Sequence, residues 1–290
     1  MFQYNTPQFR NIKIGDQPLL EALSPRAHAI QYVDMENVEN LPDVSLESLD
    51  LRELQEGLKE LEDGWFRVTS FGNHANNVEC VKEAFESLLS FLSSKGRSLQ
   101  HLVKVVMYVD SMQNYAEMNS QYVTYFGVNP PVRVCVAPER LAGCRLCLEC
   151  VGREDTEDRR VLHVQSLSHW APANIGPYSQ GLRTATSLLT AGSIGLLPGS
   201  MVLVRSEAGQ AGLALRHVTR VAQVMAGRGL EAARSVTCYV TSVEAGRQAM
   251  WVWRQQEDVK KEVEVRLVRV AELPRQAAVE WEVEFTVDHL

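Results

Sequence analysis

Residues 171–180 read APANIGPYSQ and residues 272–285 read ELPRQAAVEWEVEF, a turn that runs into an acidic strand. The first half carries a related design. There MYVDSMQNYAEMNSQYVTYFGVNPPVRVCV (107–136) leads into RLCLECV (145–151), again a strand bearing a glutamate. A chain that resembles itself at long period is two copies of one small fold. From Gly64 the pattern of the first copy is clear. WFRVTSFG (65–72) reads as a strand, and VECVKEAFESLLSFLSSKG (78–96) sets Val81, Ala84, Phe85, Leu88, Leu89 and Leu92 on one helical stripe ending at Gly96. The strand VKVVMYVDS (103–111), a second helix NYAEMNSQYVTYFG (114–127) and strands around 132–136 and 146–151 complete the unit.

The second half keeps this order. SLLTAGSIGLL (187–197) reads as a strand, followed by a helix whose stripe is Ala214, Val218, Val221, Ala222 and Met225. Gly229 answers Gly96, two residues drop out, and Tyr239-Val240-x-Ser242 matches Tyr108-Val109-x-Ser111. The same offset carries Glu149 onto Glu280. Each copy is therefore expected to be an α+β unit, a mainly antiparallel sheet with two helices packed on one face. The charged stretch VGREDTEDRRVLHVQ (151–165) puts the boundary near residue 155, giving units at 64–154 and 155–290. Residues 1–63 form an extension with two proline-marked stretches, TPQF (6–9) and LSPRAH (23–28). Leu51, Leu54, Leu58 and Leu61 stand at helical spacing there and predict an amphipathic helix.

A net charge of −7 argues against the phosphate contacts on which nucleic-acid binding depends, and the arginines at 216, 220, 228 and 234 read as a solvated helix face. No apolar run is long enough to span a bilayer, and residues 1–16 lack a secretory signal core, which points to a cytoplasmic protein without a membrane partner. Cys144, Cys147 and Cys150 have a C-x-x-C-x-x-C spacing. In a strand that alternates, Cys147 points away from the other two, so no metal site is expected and the cysteines are read as free and partly buried. His163 and His169 have no acidic or cysteine companions and are read as structural. Trp251 and Trp253 in MWVWRQQ leave one indole partly exposed if the segment is helical.

At GPYSQ, at NPPVRVCV and at the ELP-to-EVE ending, the chain resembles the Rid family, the YjgF-like reactive-intermediate deaminases. That resemblance implies a chorismate-mutase-like fold, trimer-type assembly with clefts between subunits, and hydrolysis of 2-imino acids to 2-oxo acids and ammonia with no cofactor. Two such copies in tandem, the second opened by VQSLSHWAPANIGPYSQ (164–180), resemble the C-terminal region of long eukaryotic diphthine–ammonia ligases. Those ligases carry an ATP-pyrophosphatase domain with a Ser-Gly-Gly-x-Asp-Ser loop, which this sequence lacks. The resemblance thus implies a missing domain or a separate ATP-pyrophosphatase partner.

By the same resemblance Arg133, after Pro131-Val132, grips a substrate carboxylate. A guanidinium offers a planar fork for that task and stays charged at any working pH. Cys135, Asn119 and Ser70 match residues of the pocket, and Glu149 matches the water-positioning glutamate with a one-residue shift. The first copy lacks the Gly-Pro-Tyr segment. The second has it, with Tyr178, and aligns Glu280 on the glutamate, but Val265 stands where the arginine belongs and Met250 and Ala191 replace the asparagine and serine. Each copy keeps roughly what the other has lost. One composite pocket at each suitable junction of the copies, with Arg133 facing Tyr178 and Glu280, is the expectation the resemblance carries. Two readings of function follow. One is an accessory, ligand-binding module of a diphthine–ammonia ligase; the other is a 2-imino acid deaminase. Endoribonuclease activity, attached to some relatives of the family, fits neither the acidity nor the absence of a histidine acid–base pair.

Overall fold

The structure is a computed structural model describing residues 13–14, 17–18, 41–49, 51, 54–141, 143–257, 259 and 262–287. The stretches TPQF and LSPRAH lie outside the described residues. Strands β1 (Glu47–Ser48), β2 (Gly57–Glu60) and β3 (Trp65–Gly72) precede helix α1 (Asn77–Ser93). Then come β4 (Leu102–Val109), α2 (Tyr115–Tyr122), β5 (Val132–Val136) and β6 (Leu146–Arg153). The second unit follows with β7 (Arg160–Leu162), β8 (Gly181–Arg183), β9 (Ser187–Thr190), β10 (Ser193–Ile194) and α3 (Glu207–Ala226). It closes with β11 (Ala233–Val240), α4 (Val243–Arg254), β12 (Val265–Arg269) and β13 (Val279–Thr286).

The first sheet runs β2-β3-β6-β4-β5 and the second β1-β12-β11-β13-β9-β8-β7, with β10 also on β13. In each unit the helix-linked strands are parallel, β4 with β5 and β11 with β12, and the other pairings within it are antiparallel. The duplication extends to a fault in the ladder. The register slips between Leu102 and Lys104 in β4, and between Ala233 and Ser235 at the same place in β11.

Alternation along the strands decides the layers. Phe66, Val68, Val105, Met107, Leu146, Leu148 and Cys150 face α1 and α2 and bury that core. The intervening residues Val106, Tyr108, Val134, Val136 and Cys147 pack against Ile194, Tyr239, Val268 and Val270 of the second unit. The two sheets therefore meet back to back with helices outside, and strands buried on both faces explain why so many positions are apolar. In the second unit Trp281 is fully buried, donates Nε1–H to Ala211 O at 3.1 Å and stacks on Trp253 at 5.8 Å. Truncating it to alanine costs about 3–5 kcal/mol. Trp253 is buried and Trp251 half-buried, as helical spacing predicts. Ser111 and Ser242 are helix-entry caps, accepting from Gln113 N and Ala245 N.

Five expectations change, wholly or in part. The leucine stripe over 51–61 is not a helix: Gly57 has φ +143°, and Gly57–Glu60 forms an edge strand of the first sheet, antiparallel to β3. The left-handed helix end matching Gly96 (φ 68°) is Gly227 (φ 69°), not Gly229, so no gap is needed before β11. The inward stripe of α3 keeps Ala214, Val218 and Ala222, with Met225 packed against it, and adds Ala211 and Leu215, while Val221 is buried on the cleft side. Arg220 is buried, with its Nη1 donating to Trp170 O at 2.7 Å, so the arginines do not form one solvated face. Among the cysteines, Cys147 and Cys150 do lie on opposite faces, but Cys144 precedes the strand and packs on the side of Cys147.

Candidate functional site

The outer edge of the first sheet is β5, and the second unit is attached along it. Ser179 N–H donates to Pro131 O at 3.2 Å, Ser179 Oγ–H to Pro130 O at 2.6 Å, and Gly192 N–H to Arg133 O at 3.1 Å. A cleft opens where these strands meet. It is lined by Tyr115, Arg133 and Cys135 of the first unit and by Tyr178, Gly192, His217 and Glu280, among others, of the second. Its volume is small, about 40 Å³, room for roughly three waters.

Arg133 is only 2% exposed, yet among the described residues no carboxylate pairs with it. Its Nη1 donates to Asn119 Oδ1 and its Nη2 to Tyr115 OH, each at 2.7 Å. Aromatic faces surround the guanidinium: Tyr122 at 4.7 Å, Tyr178 at 5.4 Å and Tyr115 at 5.5 Å to the ring centroids. Two of five N–H donors are thus committed to neutral oxygens, and the charge is held by ring quadrupoles rather than by an acid. A buried cation built this way is prepared for an anion that comes from outside.

Glu280 lies on β13, on the face opposite Trp281, and is 3% exposed. Its Oε2 has no hydrogen-bond partner among the described residues. Burial, reinforced by the charge of Glu282 and opposed by Arg133, raises its carboxyl to about 8. At neutral pH it is predominantly protonated. Burial likewise pushes the Cys135 thiol up to about 12, which makes it an apolar wall and not a nucleophile.

Two glycines of the second unit make this closeness possible. A methyl group on Gly192 would overlap Glu280 Oε1, and one on Gly176 would overlap Arg133 Nη2, with Tyr115 OH 2.7 Å away. The Gly176-Pro177-Tyr178 turn is tied by Asn174, whose Nδ2–H donates to Gly176 O at 2.6 Å, and by Ile175 N–H on Tyr178 OH at 3.4 Å.

Of the residues expected from the sequence, Arg133, Asn119, Cys135, Tyr178 and Glu280 are brought together. Ser70 is not. It is fully buried on β3 opposite Leu148, within the first unit. Nor is Glu149, which accepts from Tyr108 OH at 3.1 Å and pairs with Arg67 at 3.3 Å on the sheet-to-sheet side. Strand pairing explains the difference. Val106 faces Glu149 and Thr237 faces Glu282, while Tyr108 faces Cys147 and Tyr239 faces Glu280. The counterpart of Glu280 is therefore Cys147, and Glu149 corresponds to Glu282, whose Oε2 takes Tyr239 OH at 3.4 Å. Val105 opposite Arg133 and Val236 opposite Val265 confirm that Val265 holds the position of the arginine. Tyr115, Tyr122, Gly192 and His217 were not singled out by sequence. A tyrosine beside Asn119 at helical spacing was the one available signal, in NYAEMNSQY.

The chain matches the Endoribonuclease L-PSP family over residues 69–151 and 168–287, more than half its length. It belongs to that family, the Rid/YjgF proteins. Both Rid units are covered. The chain is also similar to the diphthine–ammonia ligase of Schizosaccharomyces pombe, 35% identical over 205 residues, covering 70% of this chain and 33% of that protein. To the Saccharomyces cerevisiae diphthine–ammonia ligase it is 28% identical over 234 residues, again 33% of the relative. The Rid pair thus spans about a third of the length of these two curated relatives. Among solved structures, a chorismatase shares the fold, with a TM-score of 0.59, 16% identity and coverage of 77% of this chain and 75% of that one. No helix of the described residues is long and apolar enough to cross a membrane.

Proposed function

We propose that this pair of Rid units is the ligand-handling module of a diphthine–ammonia ligase, cytoplasmic and accessory to the ATP-dependent amidation, and that its single composite cleft binds a small carboxylate-bearing ligand. The observation that carries the binding part is Arg133, buried among tyrosines with no acidic partner among the described residues. The link to diphthamide biosynthesis rests on the 35% identity over 70% of the chain. The amidation would need an ATP-pyrophosphatase domain or partner, since the cleft offers no phosphate cradle.

A second reading, 2-imino acid deamination, is favoured by Glu280. Placed beside the carboxylate grip with a raised pKa and one unpaired oxygen, it is equipped to move protons at neutral pH. Protonated Glu280 gives its proton to the imine nitrogen. The carboxylate so formed takes a proton from water as the water oxygen bonds to C2, giving a carbinolamine. Glu280 then returns that proton to nitrogen, the C–N bond breaks with loss of ammonia, and the hydroxyl proton passes back to Glu280 as the 2-oxo acid forms. Arg133 holds the carboxylate throughout, and the tyrosine walls exclude bulk water.

The test is a 2-imino acid generated in situ by an amino-acid oxidase, with and without the protein. Acceleration that disappears in Arg133→Ala and Glu280→Gln supports deamination. No acceleration, with carboxylate binding retained, leaves the binding module. Loss of both refutes the cleft as a site.

A further inference from the structure

We infer that His217 is a second polar anchor of the cleft, selecting ligands whose end opposite the carboxylate carries a hydrogen-bond donor, an N–H or O–H. This rests on the reading of the cleft as a carboxylate site. His217 stands in the middle of α3, 2% exposed, and lines the same cleft as Arg133 and Glu280, beside Val218, Val221 and Leu196. Its Nε2 lies 2.8 Å from Leu196 O. A backbone carbonyl only accepts, so Nε2 carries the proton. Burial, which outweighs that hydrogen bond, pushes the ring down to about 3, with Arg216 and Arg220 acting in the same direction. The imidazole is then neutral at working pH, and Nδ1 presents a bare lone pair.

That atom has no partner among the described residues. Two neutral polar side chains of the lining, Gln180 and Thr190, are occupied. Gln180 accepts from Val164 N and donates to Val164 O, at 2.8 and 2.9 Å. Thr190 Oγ1 donates to Val283 O and accepts from Val283 N, each at 3.0 Å. A buried acceptor left unpaired is costly, and an aliphatic residue would pack better between Val218, Val221 and Leu196. An imidazole with one nitrogen fixed and the other free is the arrangement a ligand donor completes. Sites built to hydrogen-bond a substrate hydroxyl reject the analogue without it far more strongly than an apolar pocket rejects an extra methylene.

Isothermal titration with matched 2-oxo acids tests this. 3-Hydroxypyruvate is compared with 2-oxobutanoate, and 4-hydroxy-2-oxobutanoate with 2-oxopentanoate, each pair exchanging a terminal hydroxyl for a methyl. The wild-type protein is expected to bind the hydroxylated member of at least one pair roughly tenfold or more tightly. His217→Leu should lose that preference while binding the methyl member within about threefold of wild type. Should that variant fold poorly, nitrogen-15 NMR of the wild-type histidine ring decides the matter. The Nδ1 resonance shifts on adding the hydroxylated ligand and stays still with its methyl analogue. Equal affinities within both pairs, with binding still abolished by Arg133→Ala, overturn the role of His217 and leave the carboxylate site standing. No binding of any of the four acids overturns both.

Discussion

Replacing Glu280 by glutamine tests the electrostatics of the cleft without altering its shape. In the unfolded chain the carboxyl titrates near 4.5, and in the folded protein burial raises it to about 8. Between those values the folded protein holds a proton that the unfolded chain has released, so stability falls as pH rises. The contribution is fully present below pH 4.5 and lost by the time pH has passed about 8. That span corresponds to about 5 kcal/mol, of which about 2.5 kcal/mol disappears between pH 5 and 7. Glutamine removes the titration. Urea unfolding at pH 5, 6, 7 and 8, followed by tryptophan fluorescence, should therefore show wild type losing stability relative to Glu280→Gln by about that amount. All other titrating groups are common to both proteins and cancel. Parallel pH profiles would mean that Glu280 is ionised in the folded state, and its role as a proton donor would fall with that result.

Three other outcomes follow from the same geometry. Gly192→Ala sets a methyl against Glu280 Oε1 and should displace the carboxylate, weakening ligand binding at least tenfold, by titration, in a protein that still folds. Asn119→Ala removes the acceptor of Arg133 Nη1 and should cost about 1–3 kcal/mol in unfolding free energy, with a parallel loss of affinity for 2-oxo acids. Pairing of β1 with β12 covers the second unit's counterpart of the edge that, in the first unit, receives its neighbour. Light scattering should therefore give the mass of one chain, 32.5 kDa; three times that mass would restore the trimer-type assembly expected from the resemblance.

The core strands and helices were legible because strong alternation and helical stripes coincide with burial on one or both faces, as in WFRVTSFG and in the stripe from Val81 to Leu92, of which Leu89 alone is exposed. The arginine of the cleft was legible through the resemblance to the Rid family at NPPVRVCV, and the expectation of a composite pocket followed from Val265 in its place in the second unit. Three things were hidden. Leucines at 51, 54, 58 and 61 fit a helix, but the open edge of β3 takes Gly57–Glu60 as a strand, an interaction local spacing does not contain. Glu149 and Glu280 sit in similar acidic strands, and only the hydrogen-bonded register shows that they belong to different rows. His217 occupies an interior helix position that reads as one more core residue, and its free nitrogen exists only because Leu196 is brought to the other side of the ring.

The central claim is one composite carboxylate site per chain, shared between the two units. Calorimetric titration of 2-oxobutanoate into wild type, Arg133→Ala and Tyr178→Phe tests it most directly. The account predicts a stoichiometry of one per chain in wild type, since Val265 leaves the second unit without a grip. Binding should be abolished by the first-unit change Arg133→Ala and weakened by the second-unit change Tyr178→Phe. Two sites per chain, or affinity that survives the loss of Arg133, would contradict it.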